Sequence, residues 1–158
     1  MTERKIGFVS MGVVFRGNRW MDGVICNLEL KGQDLVSTIS TTIRHSKQYS
    51  QLHAIILAKQ ELFSSRELAE LASSVSIPVI AILTPYCDTQ SRVKAWADSG
   101  YYKLRVGGKH ILVLAIGFDK EEAERILAVS CNPSTGEPEA VRVAELIVKS
   151  AQSLQFTK

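Results

Sequence analysis

Cysteine is scarce in this chain of 158 residues: Cys26, Cys87 and Cys131 are the only three, and they lie far apart. Three thiols cannot all pair and no Cys-x-x-Cys occurs, so neither a disulfide framework nor a zinc ribbon is supported. Histidine is equally thin. His45, His53 and His110 show no H-x-x-x-H or H-E-x-x-H spacing, which removes the helix-borne zinc pattern. Long apolar runs are missing as well. The stretch from Ile111 to Ile116 falls far short of the roughly 18 residues that a membrane helix needs. The opening Met1-Thr-Glu-Arg-Lys5 leads into mixed residues with no apolar signal-peptide core. Membrane and secreted classes are thereby set aside, and a cytoplasmic location is expected. No repeat, linker or low-complexity stretch divides the chain, so one domain spanning residues 1–158 is expected.

What is present is an ordinary globular balance, 46% hydrophobic and 22% charged, which excludes a disordered chain. Nineteen basic against sixteen acidic side chains leave +3, a charge that permits an anionic partner without requiring one. Val, Phe and Ile are frequent from Lys5 to Arg16, Gly17-Asn18 is a turn signal, and Trp20 to Leu30 reads as a second strand; together they predict an antiparallel hairpin. Asp34 stands where an N-cap belongs, and Leu35, Ile39 and Ile43 follow at helical spacing to near Tyr49. Leu52–Leu57 and Ile77–Leu83 read as buried strands, with Pro78 tolerable at a strand start. Between them Ser64, Ser65 and Glu67 announce a helix carrying Leu68, Leu71 and Val75. A helix is expected over Asp88–Ser99. A second hairpin follows, turning at Gly107-Gly108. Asp119 caps a helix to Ser130, and Pro138 is placed as the first residue of a last helix to about Leu154. Strands and helices in this order predict an α/β fold, a mixed β-sheet with helices on its faces.

Gly107-Gly108-Lys109-His110 lacks phosphate-loop spacing and joins two strands, so it reads as a hairpin turn. No serine has a G-x-S-x-G frame, and Ser64 and Ser65 read as cap residues. A metal-dependent nuclease requires carboxylates converging on hard cations; the candidates are Asp22 and Glu29 on the second strand, Asp34 at the helix start and Glu61 after the third strand. Among these Asp34 is the catalytic candidate, although capping alone explains it. Arg16 and Arg19 in the hairpin and Arg44 and Lys47 on the first helix form the candidate nucleic-acid contacts, the alternative being a solvated basic face. Trp20 beside Arg19 is placed to stack on a base, whereas a tryptophan in an apolar strand is more often core.

The sharpest pattern is Pro138-Glu139-Ala-Val-Arg142-Val-Ala144-Glu-Leu-Ile147. It resembles the P-E-P-L-R-V-A-H-L-I segment of the archaeal endonuclease dU family. Met11-Gly-Val-Val-Phe-Arg-Gly17 with Asp22-Gly23-Val24 is similar to that family's G-V-V-F-R-G…D-G-V hairpin, Gly32-Gln-Asp34 to its D-G-x-D-A-T helix start, and Ile77-Pro-Val-Ile80 to its L-P-V-I strand. The resemblance runs from about residue 6 to 150. It implies a ribonuclease-H-like core related to endonuclease V, and DNA nicking at deoxyuridine with a divalent metal, Mg or Mn, whose bound water attacks the phosphodiester.

The departures fall where that chemistry resides. The family's first strand with its aspartate pair has no counterpart before the hairpin, so a core without the usual first strand is expected. The family's L-D-G is here Leu57-Ala58-Lys59; alanine offers a cation no oxygen and lysine repels it. Only Asp34 remains matched. The expected function is therefore that of a catalytically degenerate relative that binds DNA or a partner in repair. The alternatives are an active endonuclease with rearranged acidic ligands and a homo-oligomeric interaction module joined through a sheet edge without nucleic acid.

Overall fold

The computed structural model describes residues 6–30, 34–58, 63–83 and 100–155. Strands β1 (Ile6–Arg16) and β2 (Trp20–Leu30) form an antiparallel pair of their own. Four more, β3 (Ile55–Leu57), β4 (Val79–Leu83), β5 (Tyr102–Val106) and β6 (Lys109–Ile116), make a sheet in the order β3-β4-β6-β5. The β3–β4 pairing is parallel and the other two are antiparallel, so the sheet is mixed, as expected. The helices are α1 (Leu35–Arg44), α2 (Ser65–Val75), α3 (Lys120–Ser130) and α4 (Glu139–Gln155). The helix expected over Asp88–Ser99 lies outside the described residues.

Alternation along β4 explains why the sheet carries helices on both faces. Successive side chains of a strand point to opposite sides. Val79 and Ala81 pack with Val36 and Ile43 of α1 and Leu68, Leu71 and Val75 of α2. Ile80 and Ile82 join Leu104, Val106 and Val113 against Ala123 and Leu127 of α3 and Cys131. A strand buried on both faces reads as a continuous apolar run, and Ile77–Leu83 does.

The cap signals hold. Ser64 and Glu67 complete a capping box on α2, Asp119 and Glu122 complete another on α3, and Asp34 accepts the Ser37 N–H at the head of α1. Three boundaries shift from the sequence expectation. α1 stops at Arg44 instead of near Tyr49, after the β-branched run Thr41-Thr42-Ile43 has lowered helix propensity. The Ser46 hydroxyl takes the Ile43 carbonyl, an alternative to continuing the ladder, and a short 3₁₀ turn covers Tyr49–Gln51. β3 is limited to Ile55–Leu57 because pairing begins where the Ile55 N–H meets the Pro78 carbonyl at 2.9 Å; Pro78 has no N–H to extend the ladder. Pro138 precedes α4, its carbonyl accepting the Arg142 N–H, and it bridges back to Cys131.

The second hairpin turns as expected. Gly107 and Gly108 both have positive φ, the conformation that favours glycine in a two-residue hairpin loop. A Cβ on Gly107 would lie 3.2 Å from the Gly136 Cα, so this turn also seats the loop before α4. The β1–β2 hairpin lies against α4 along β1 and against α1 through β2.

Candidate nucleic-acid interface

The tip of the β1–β2 hairpin is held to the rest of the molecule at two points. The Asn18 side-chain amide donates to the Cys131 carbonyl at 2.8 Å, and Gly17, at φ +60°, comes close enough to α3 that an added Cβ would sit 3.4 Å from the Val129 carbonyl oxygen. Farther along β2, Gly23 leaves room for Gln48, whose amide nitrogen would be 2.5 Å from a Cβ there. The Gln48 side chain thus reaches β2 at Gly23.

Between these points the register shifts. Phe15 pairs with Met21 and Val14 with Gly23, leaving Asp22 as the extra residue of a bulge. Bulges re-aim side chains, and here the Asp22 carboxylate accepts from Arg16 Nε at 2.5 Å. Arg16 is 71% exposed, so the pair stands at the surface, where it adds little stability. It does set a carboxylate beside Arg16. Arg19 is exposed in the tip, and Arg44 and Lys47 are exposed at and just beyond the end of α1. The Gly23–Gln48 contact brings these three cations onto adjoining elements. His45 lies among them with Nδ1 2.8 Å from the Thr41 carbonyl oxygen.

Trp20 overturns the expectation that an apolar-strand tryptophan is core. It is 72% exposed, and Met21 and Val24 are exposed with it. The hairpin's packing partners, α4 on β1 and α1 on β2, leave these three side chains in solvent.

The acidic candidates do not assemble. Asp34 is exposed and caps α1: its side chain takes the Ser37 N–H at 3.2 Å and its backbone carbonyl the Thr38 N–H and hydroxyl. Asp22 is engaged with Arg16. The side chain of Glu29, and all of Glu61, lie outside the described residues. Among the described residues no three His, Cys, Asp or Glu side chains gather to hold an ion. Ala58 follows β3 half-buried and supplies no ligand atom. These residues do not fit the divalent cation that the endonuclease resemblance implies.

The C-terminal motif has a local structural explanation. Arg142 grips Glu139 with two bonds, Nε to one carboxylate oxygen at 3.0 Å and Nη2 to the other at 2.5 Å. That fork holds the Glu139 carboxyl below the usual carboxylate range, the Arg142 hydrogen bonds outweighing burial, and raises Arg142 in turn. Ala144 is half-buried one turn on. Before the helix, Asn132 closes a tight loop, its N–H donating to Glu137 and its carbonyl and side chain accepting from Gly136 and Ser134. Cys131, at the root of that loop, is buried, and burial pushes its thiol up to about 11, leaving it a neutral, unreactive group at physiological pH. Sequence reasoning missed Asn18 and Gln48 as tethers. The turn signal at Gly17-Asn18 was present, but nothing local marks its distant acceptor.

The fold and site together define an α/β protein, with a mixed four-stranded sheet between helical layers and a separate hairpin bearing basic and aromatic residues. A UPF0215 protein of Methanosarcina acetivorans is 30% identical over 156 residues, taking in 87% of this chain and 79% of its own length. A UPF0215 protein of Methanothermobacter thermautotrophicus is 25% identical over 154 residues, covering 87% of this chain and 75% of its own. The chain belongs to the UPF0215 family. A crystal structure of a protein of unknown function from Archaeoglobus fulgidus superposes with a TM-score of 0.63, covering 91% of this chain and 96% of that one. At 18% identity the likeness is one of fold. No family model matches the chain. Among the described residues no helix is long and apolar enough to cross a membrane.

Proposed function

We propose that this chain binds nucleic acid through the tip of the β1–β2 hairpin and the end of α1, as a relative of a metal-dependent deoxyuridine endonuclease whose acidic set is incomplete. The observation that carries this reading is the seating of Gln48 against Gly23, which makes neighbours of the elements bearing Arg19, Arg44 and Lys47. Three cations on adjoining elements can follow successive phosphates, and each phosphate contact releases condensed counterions. The motif resemblance to the endonuclease dU family, with the ribonuclease-H-like core it implies, supplies the substrate class. Asp34, committed to a helix cap, and Ala58, with no oxygen to offer, support the loss of cleavage.

The test is binding of a fluorescently labelled DNA across a salt series. The wild type is expected to bind with an affinity that falls steeply with salt. Arg19→Ala/Arg44→Ala/Lys47→Ala is expected to lower the log–log salt slope by about 2, at 0.7–0.9 per phosphate. Salt-independent or absent binding overturns the reading. Nicking of a deoxyuridine duplex in Mg or Mn, lost in EDTA and in Asp34→Ala, would instead make the chain an active enzyme. Concentration-dependent sedimentation without DNA binding would make it an oligomeric module.

A further inference from the structure

Trp20 is a large aromatic ring standing in solvent at 72% exposure, beside the tethered turn of the hairpin. Its backbone pairs across the turn with Arg16, which has the Asp22 carboxylate beside it. Arg19 precedes it, and Arg44 and Lys47 lie exposed on the neighbouring segment. Met21 at 53% and Val24 at 45% exposure pair with Phe15 and Val13 and so lie on the other face of the hairpin from Trp20. An exposed aromatic ring with exposed cations on the same and the adjoining segment is the combination that single-stranded nucleic-acid sites use.

We propose that this surface binds single-stranded nucleic acid, with Trp20 as the platform on which an unpaired base stacks; the inference rests on the nucleic-acid reading above and names its substrate class. The argument is one of complementarity. An occupant must offer negative charge to Arg19, Arg44 and Lys47 and a flat apolar face to the indole. An unpaired strand offers both at every nucleotide, since each base has a π-face and each linkage a phosphate. A duplex hides its base faces within the stack. The tether adds to the case: Asn18 bonded to the Cys131 carbonyl at 2.8 Å and Gly17 seated on α3 fix the turn immediately before Trp20, so little freedom is lost when a base lands on it.

The test uses the full chain, labelled oligo-dT and the corresponding duplex, with wild type, Trp20→Ala and Trp20→Phe compared by fluorescence anisotropy. Trp20→Ala is expected to weaken oligo-dT binding by about 5- to 150-fold, with the salt slope unchanged because no phosphate contact is removed. Trp20→Phe is expected to restore most of the loss, which a merely structural role at an exposed site would not require. Superimposable melting curves will show that the variants fold. Salt-dependent binding that is indifferent to Trp20→Ala overturns the stacking platform while leaving the nucleic-acid reading intact. Absence of binding to either DNA at low salt overturns both. Self-association of the wild type that Trp20→Ala abolishes, without oligo-dT binding, overturns the proposal in favour of a second copy of the chain.

Discussion

Glu139 sits in the first turn of α4, where the unpaired N–H groups of a helix favour negative charge, and Arg142 one turn later holds its carboxylate in a fork. The folded protein therefore keeps Glu139 ionised to lower pH than the unfolded chain does. The sign follows from that direction. A carboxyl lowered on folding contributes stability that is complete above its ordinary value near about 4.3 and disappears as pH falls through the lowered one. Glu139→Gln is accordingly expected to melt below the wild type at pH 7, with the gap closing as the buffer is taken toward pH 3. Thermal melts at the two pH values check this; a gap independent of pH would assign the cost to packing instead of charge. The same pair explains why Glu139 and Arg142 stand three apart in the C-terminal motif: they serve each other.

At the scale of elements, the β1–β2 hairpin depends on distant partners for its position. Asn18→Ala removes a bond to a partly buried carbonyl, and an acceptor left without its donor costs about 1–3 kcal/mol. Denaturant unfolding should register that loss, and hydrogen exchange should quicken selectively at the turn and the adjoining ends of β1 and β2. Exchange that rises uniformly over the molecule would mean that the tether serves global stability alone. Elements whose signals are local were legible in the sequence. The two capping boxes, the Asp34 cap, the Gly107-Gly108 turn and the strand at Ile77–Leu83 were all readable, because each depends on residues within a few positions. The end of α1 was not, since Ser46 and the turn after it compete with the helix only once Ile43 is buried. The exposure of Trp20 was not legible for a related reason. Composition marks a strand as apolar, but which strand is left uncovered depends on where α1 and α4 settle. At the candidate site the cations were legible as a group, while the Asp22 bulge that pairs with Arg16 was not.

The whole molecule contains two apolar cores divided by one sheet, with Leu71 in the first and Leu127 in the second, both fully buried. Truncating either to alanine is expected to cost about 2–5 kcal/mol. The two lie on opposite sides of β4 and share no cluster, so the double variant should lose the sum of the single losses to within about 0.5 kcal/mol. A shortfall or excess well beyond that in urea titrations would show that the sheet transmits repacking from one core to the other. The union of the hairpin with the second core has a consequence for biosynthesis. Asn18 and its acceptor Cys131 are 113 positions apart, and translation at about 5–20 residues per second separates their appearance by roughly 6–20 s. During that interval the hairpin has left the ribosome without its dock, the side of β1 that α4 covers in the finished protein is bare, and among the described strands only β1 lies beside β2. The nascent chain is then at its stickiest, and a holding chaperone has its clearest target before the last third of the protein has been made.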